Sequence, residues 1–461
     1  MALIKNPLSG GGGGGVLDIV NGIIEQYKGS EDIDAQTFVE KVNASTPGVG
    51  QPVDITAGDR YNYGGGIAAV ALDDTKVLVV CAGNASLKYL YGRVCTVSGG
   101  VISAGTATLL LPTESTGNYI AVEKLSNSSV IIAHSGTTAN RLSGVICNIS
   151  GDTITVGTDV SYNNSNSSTD FYLSIATLGT GKVFVAHKYS SSNYYIYGIV
   201  WTISGNTISM GTDTAVATSY QPALNTSGGG CCAVDTSSVF VCYAYLTSSQ
   251  TSRFYQYGVI CTVSGSTISV GDPVNIYKNG GYSNAPGLSK PVLLGSNKIV
   301  CALIINSYLV CQIVEINGTA VSAGAYLSPT GETSYSLSNS LIGINSNGAI
   351  YLIASRLTDI YGFKFNFDGE SITLETKKLL LSESGNVTGG KIAGQLAIVK
   401  NNFMLVTQTV SNQIYAVSTD LSDDIWIKKA TDPSSLFGLT DQSVTQEFAG
   451  NVWVLNTSES E

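Results

Sequence analysis

The chain has 461 residues, a formal net charge of −10 and a pI near 4.8, with no basic stripe; duplex nucleic acid, which needs clustered Lys and Arg on its phosphates, is excluded as a partner. No run approaches the roughly 18 apolar residues of a helical membrane span, so membrane insertion is not expected. With 52 glycines, 25 tyrosines, 10 prolines and 12% charged residues, the composition suits a sheet protein kept in solution by hydroxyls and amides.

In chain order, MALIKNPLSGGGGGG (1–15) comes first, without the apolar core of a Sec signal peptide. Its six consecutive glycines make either a free tail or a tether for a docking peptide that threads into a partner. The stretch VLDIVNGIIEQYK (16–28) reads as one short amphipathic helix or as a pair of strands.

A strand-and-turn phrase then recurs as GRVCTVSGGVIS (92–103), GVICNISGDTIT (144–155), GIVWTISGNTIS (198–209) and GVICTVSGSTIS (258–269). Weaker copies stand at 312–322 and 362–373, and QIYAVSTDLSDDIWI (413–427) is a glycine-free seventh. The turn glycines Gly99, Gly151, Gly205, Gly265, Gly318 and Gly369 are 52, 54, 60, 53 and 51 residues apart. Each phrase is a hairpin, β-branched strands around a glycine turn. Each follows a continuous apolar run such as KVLVVCAG (76–83) or SVFVCYAY (238–245), the pattern of a strand buried on both faces. A repeat of this period predicts an all-β chain whose residues 61–428 form a β-propeller of about seven four-stranded blades; six or eight would also fit.

Three of the nine cysteines occupy one position of the repeat. Cys95, Cys147 and Cys261 share one position, filled by Trp201, Val314 and Phe365 elsewhere, so they serve as buried apolar side chains in a reducing cytoplasm. The adjacent Cys231–Cys232 is the one candidate for a reactive thiol.

Little catalytic chemistry is legible. His134 and His187, the two histidines, are one repeat apart at the end of the apolar strand, and no third ligand at metal spacing accompanies them. There is no G-x-S-x-G and no Ser/His/Asp arrangement. Asp159, Asp213 and Asp272 recur after a glycine, which predicts backbone-capping turn acids, because a glycosidase's carboxylate pair would break the repeat. No cofactor is expected. The binding candidates are tyrosines of a Tyr-x-Tyr-Gly phrase: Tyr89 and Tyr91, Tyr195 and Tyr197, Tyr255 and Tyr257, with Tyr361 in a fourth copy. They either flank the seam between blades or stack on sugar rings, with the polar loops 162–170, 189–196, 218–230 and 278–286 around them.

The two ends carry a resemblance. IEQYKGSEDIDAQTFVEKVN (24–43) resembles the opening of small β-barrel modules common on bacteriophage virions, and SSLFGLTDQSVTQEFAGNVWVL (434–455) is similar to their closing half. Gly438, Thr440, Phe448, Val452 and Val454 are the matching pattern positions, whereas Gln446 and Glu447 stand where a glycine is usual. The resemblance implies a small β-module built from 16–60 and from 429–461, with the propeller inserted between. It implies a non-enzymatic virion protein, assembled in the bacterial host cytoplasm and anchored to other virion proteins through 1–15 and the module. Its role would be that of a tail fibre or receptor-binding appendage for host attachment, with a host surface glycan as a partner. A capsid decoration or head-fibre protein, and a glycan-binding lectin or glycosidase, are the alternatives. Without heptads, a homo-oligomer would form through the module or blade edges.

Overall fold

A computed structural model describes residues 23–29, 38–41, 53–55, 66–82, 89–98, 101–111, 119–135, 142–162, 173–179, 181–188, 195–217, 229–247, 253–277, 287–295, 297–305, 308–328, 335–345, 348–356, 359–382, 394–399, 402–408, 414–419, 426–429, 438–440 and 449–454. Contacts divide the chain into two units, Met1–Val42 with Asp424–Glu461, and Asn43–Asp423.

The smaller unit holds a closed five-stranded barrel. Ile23–Gly29 pairs antiparallel with Ala449–Val454, which also pairs with Gly438–Thr440; Phe38–Lys41 and Trp426–Lys429 complete the circle. The expected docking peptide 1–15 lies outside the described residues, as does Phe448; within 16–28, Ile23 onward is strand and not helix.

The larger unit is a β-propeller. Seven antiparallel sheets are found among its described residues, numbered here 1 to 7 around the ring from the one holding Lys76–Ala82. Their innermost strands touch in succession around one axis: Ile67–Ala71, Ile120–Ser126, Leu173–Gly179, Gly229–Ala233, Gly287–Leu288 with Val292–Gly295, Tyr335–Ile344 and Gly394–Val399, the last returning to the first. Instead of one central core, seven apolar clusters fill the seven seams between successive sheets. That is why the second strands, such as Lys76–Ala82 and Lys182–Lys188, are buried on both faces along their length.

The repeat phrase is the third strand with the start of the fourth. Ser150 pairs with Thr153 and Ser204 with Thr207, leaving two-residue turns led by Gly151 and Gly205, whose φ values of 61° and 57° only glycine adopts at no steric cost. Cys95, Cys147, Trp201, Cys261, Val314 and Phe365 each pair with the second strand's first apolar residue, so the single repeat position holds in space.

The module boundaries differ from expectation. Val53–Asp54 was expected in the module but is the outermost strand of sheet 7, pairing with Ile414–Thr419. Trp426–Lys429 pairs in the barrel, so 413–427 is one propeller strand and one barrel strand and not a seventh hairpin. Both differences have one cause. The ring closes by adding an early strand to its last sheet, a pairing that local hairpin signals cannot announce.

Candidate functional site

Antiparallel order puts the ends of all second strands and the starts of all third strands on one side of the propeller. Tyr89, Tyr91, Tyr195, Tyr197, Tyr255 and Tyr257 all sit there, half-buried, in sheets 1, 3 and 4. They stand two to a sheet, with sheets 3 and 4 adjacent in the ring. The segments 163–172, 189–194, 218–228 and 278–286, which hold most of the polar loop residues, join strand ends on this same side and lie outside the described residues.

The glycine of the Tyr-x-Tyr-Gly phrase has a packing reason. A Cβ on Gly198 would stand 2.5 Å from the Phe184 ring, on Gly258 2.5 Å from Phe240, and on Gly144 2.4 Å from Trp201. Gly198 and Gly258 each admit a ring from the second strand of their own sheet, and Gly144 admits a ring from the neighbouring sheet 3. The second tyrosine then faces the neighbouring seam: Tyr197 stacks on His187 at 6.0 Å between ring centroids, and Tyr257 on Tyr243 at 6.1 Å. Burial, then the nearby Asp213 carboxylate and Tyr195, push the Tyr197 phenol above its ordinary pKa.

The histidines have partners that the repeat pattern did not reveal. His134 Nε2 donates to Asp159 Oδ1 at 3.0 Å, and His187 Nε2 to Asp213 Oδ1 at 2.9 Å. Both imidazoles are fully buried at seams, His134 towards sheet 1 and His187 towards sheet 2. Asp159 and Asp213 thus each hold an imidazole, a role that the reading of them as turn acids did not include. Gly105, Gly157, Gly211 and Gly271 each donate the same backbone hydrogen bond, to Val94, Ile146, Val200 and Ile260. In sheets 2 and 3 the residue two positions on reaches the second strand. At that place stand Ala107, Asp159, Asp213 and Pro273, and the matching second-strand position holds Cys81, His134, His187 and Tyr243; the two Asp–His combinations make the contacts. Asp and His arrive and leave together along the repeat, a signal that was present in the sequence. Asp272 falls one position early and is exposed. The capping role belongs to Asp73, Asp235 and Asp368, which accept backbone N–H groups in tight turns; four hydrogen bonds, led by those from Ser371 and Glu370, hold the exposed Asp368 down to about 2.

At the axis, Lys290 Nζ of sheet 5 meets Glu123 Oε2 of sheet 2 at 2.6 Å. These sheets are three steps apart in the ring, so the pair spans the axis. Partial desolvation presses the pKa of this 44%-exposed ammonium down, but the Glu123 carboxylate, with Cys231 and Cys232, outweighs it and holds Lys290 above its ordinary value. Gly230 lets the strands close up here: a Cβ would lie 2.6 Å from Lys290 Cα. Beside them Cys231 donates its backbone N–H to Ser174 Oγ at 3.0 Å and its thiol to the same oxygen at 3.5 Å.

Burial disfavours the thiolate at the candidate reactive pair. Cys231 and Cys232 are buried, and burial pushes the Cys231 thiol up to about 11 and Cys232 well above the ordinary range. Cys147 and Cys261 are likewise held at about 12, against an ordinary thiol value of 9.0. A folded-state pKa raised this way gives stability that is complete below the unfolded value and is lost as pH rises through the folded one. Urea midpoints are therefore expected to fall as pH climbs from 9 towards 12. Cys147→Val, the residue type that sheet 5 carries as Val314, is expected to flatten that decline; an unchanged slope would count against buried thiols as its source.

Among the described residues, no group of three or more His, Cys, Asp and Glu side chains could hold a metal ion, and no helix is long and apolar enough to cross a membrane.

No protein-family model matches the chain, and no curated protein sequence matches it. Solved structures are similar to it in fold. The periplasmic gluconolactonase of Pseudomonas aeruginosa is 9% identical, with 78% of this chain and 97% of that chain covered and a TM-score of 0.47. A polysaccharide lyase of the ulvan lyase family is 9% identical, covering 85% and 96%, with a TM-score of 0.45. The β-propeller domain of the trilobed protease of Pyrococcus furiosus is 8% identical, covering 80% and 97%, with a TM-score of 0.43. Likeness at this level concerns architecture and carries no chemistry across.

Proposed function

We propose that this chain is a non-enzymatic structural protein of a bacteriophage virion. It is held by its barrel and residues 1–15, and it displays a seven-bladed propeller as a tail fibre or receptor-binding appendage for host attachment. The observation that carries the reading is the two-ended construction: strands from both chain ends close one small barrel, and the whole propeller is an insertion between them. A free enzyme has no need of that arrangement, whereas a displayed platform needs an anchor separate from its binding body. The repeating acids also favour passivity, since Asp159 and Asp213 are engaged with buried imidazoles. Anchorage would come from main-chain pairing with neighbouring virion subunits, and many copies would raise weak contacts with host glycan to useful avidity.

Capsid decoration is the same construction at another address on the particle. Immunogold labelling of virions with an antibody against the propeller separates the two. Label at the tail tip is the expected result, label over the head makes this a decoration protein, and unlabelled particles overturn the virion assignment. Release of reducing sugar from host wall polysaccharide by the purified protein would overturn its non-enzymatic part.

A further inference from the structure

Five residues before the repeat position shared by Cys95, Cys147, Trp201, Cys261, Val314 and Phe365, the sheets carry Leu90, Leu142, Ile196, Gln256, Leu309 and Ile360. All six are buried, and five are aliphatic. Gln256 breaks the series. It is 0% exposed, and neither its Nε2 nor its Oε1 has a hydrogen-bond partner. An unpaired buried amide is costly, and its own repeat shows that Leu or Ile fills the place.

Gln256 shares with Ile260 the face of its strand that packs on sheet 5, opposite Ala244 in the register. The Ile276 N–H donates to the Gln256 carbonyl at 2.8 Å, so Tyr277 follows one residue along. Tyr277 meets Tyr326 of sheet 5 edge-on, with ring centroids 5.7 Å apart. Tyr326 stands two residues after Gly324, the place taken by Asp159 and Asp213 in sheets 2 and 3, and is 52% exposed while Tyr277 is 8% exposed. The aromatic pair thus runs from solvent into the same seam, and its inner ring is one residue from Ile276, the backbone partner of Gln256.

We infer that this seam between sheets 4 and 5 is a saccharide-binding subsite. The pyranose lies against Tyr326, and a vicinal pair of its hydroxyls is directed along Tyr277 to the Gln256 amide. Aromatic rings bind the C–H faces of sugars, and a primary amide offers a donor and an acceptor together, matching two adjacent hydroxyls. A side-chain rotation of the exposed Tyr326 gives entry. This rests on the reading that the propeller binds host glycan, and it places that binding at a seam distinct from Tyr89, Tyr91, Tyr195 and Tyr197.

The test is saturation-transfer NMR on the full chain with the methyl glycosides of glucose, galactose, mannose, rhamnose and N-acetylglucosamine. Gln256→Leu, which installs the residue type of the other sheets, is expected to weaken binding of the responding sugar by about tenfold, the scale of a lost buried hydrogen bond. It is expected at the same time to raise the unfolding temperature. Tyr326→Ala, a surface change, is expected to weaken binding without that rise. If Gln256→Leu and Tyr326→Ala bind as the native chain does, the subsite is wrong while a glycan partner stands. If no methyl glycoside responds, the subsite falls together with the glycan part of the proposed function.

Discussion

Phe240→Ala is expected to lower the stability of the propeller by about 3–5 kcal/mol, the range for emptying a large aromatic from a packed interior. Phe240 is fully buried in the seam between sheets 4 and 5, over a glycine that exists to receive it. Gly258→Ala puts a methyl 2.5 Å from the ring and 2.9 Å from Ile276, an overpacking expected to cost about 1–3 kcal/mol. In the double variant the methyl enters the space the ring has vacated, so the two losses should sum to less than their separate values. Urea titrations followed through Trp201 read this directly, because the other tryptophans, Trp426 and Trp453, belong to the barrel. Strict additivity would refute ring-over-glycine packing as the reason for the glycine at this position in sheet 4.

A second large effect is expected from truncation after residue 448. Ala449–Val454 pairs with Ile23–Lys28 on one side and Gly438–Thr440 on the other, so its removal opens the barrel at two ladders at once. Calorimetry of the full chain should show a smaller and a larger transition, and the truncated chain only the larger. The propeller's own pairing lies within Asn43–Asp423 and is untouched. A truncated chain that keeps both transitions, or loses both, would mean that the barrel is not a separate folding unit.

Much of this architecture was legible because the repeat is written in residues with a local physical meaning. Gly151, Gly205, Gly265 and Gly318 mark turns that need positive φ, and the runs before each hairpin are apolar because both faces are covered. Ring closure was not legible. Val53–Asp54 and Ile414–Thr419 are about as far apart in sequence as two strands of the propeller can be, and neither carries a turn signal towards the other. The site fared in between. The candidate tyrosines are where a seam or mouth residue would stand, but seen one at a time they hid the pairings that matter. Asp213 read as a turn acid because Gly-Thr-Asp is a turn phrase, and the partner 26 residues away is brought near only by the sheet. Gln256 was passed over between two more conspicuous tyrosines, although setting the repeats in register singles it out without any coordinates.

The pairing of Val53 with Ala416 also has a consequence for the gene. Entry to and exit from the propeller lie side by side on one sheet, so to the barrel the roughly 380 intervening residues are equivalent to a single long loop with neighbouring ends. Such a segment can be cut out and another spliced in without disturbing the host fold. The barrel is then a socket, and under the proposed role exchanging what is plugged into it is expected to change the ligand in one recombination event.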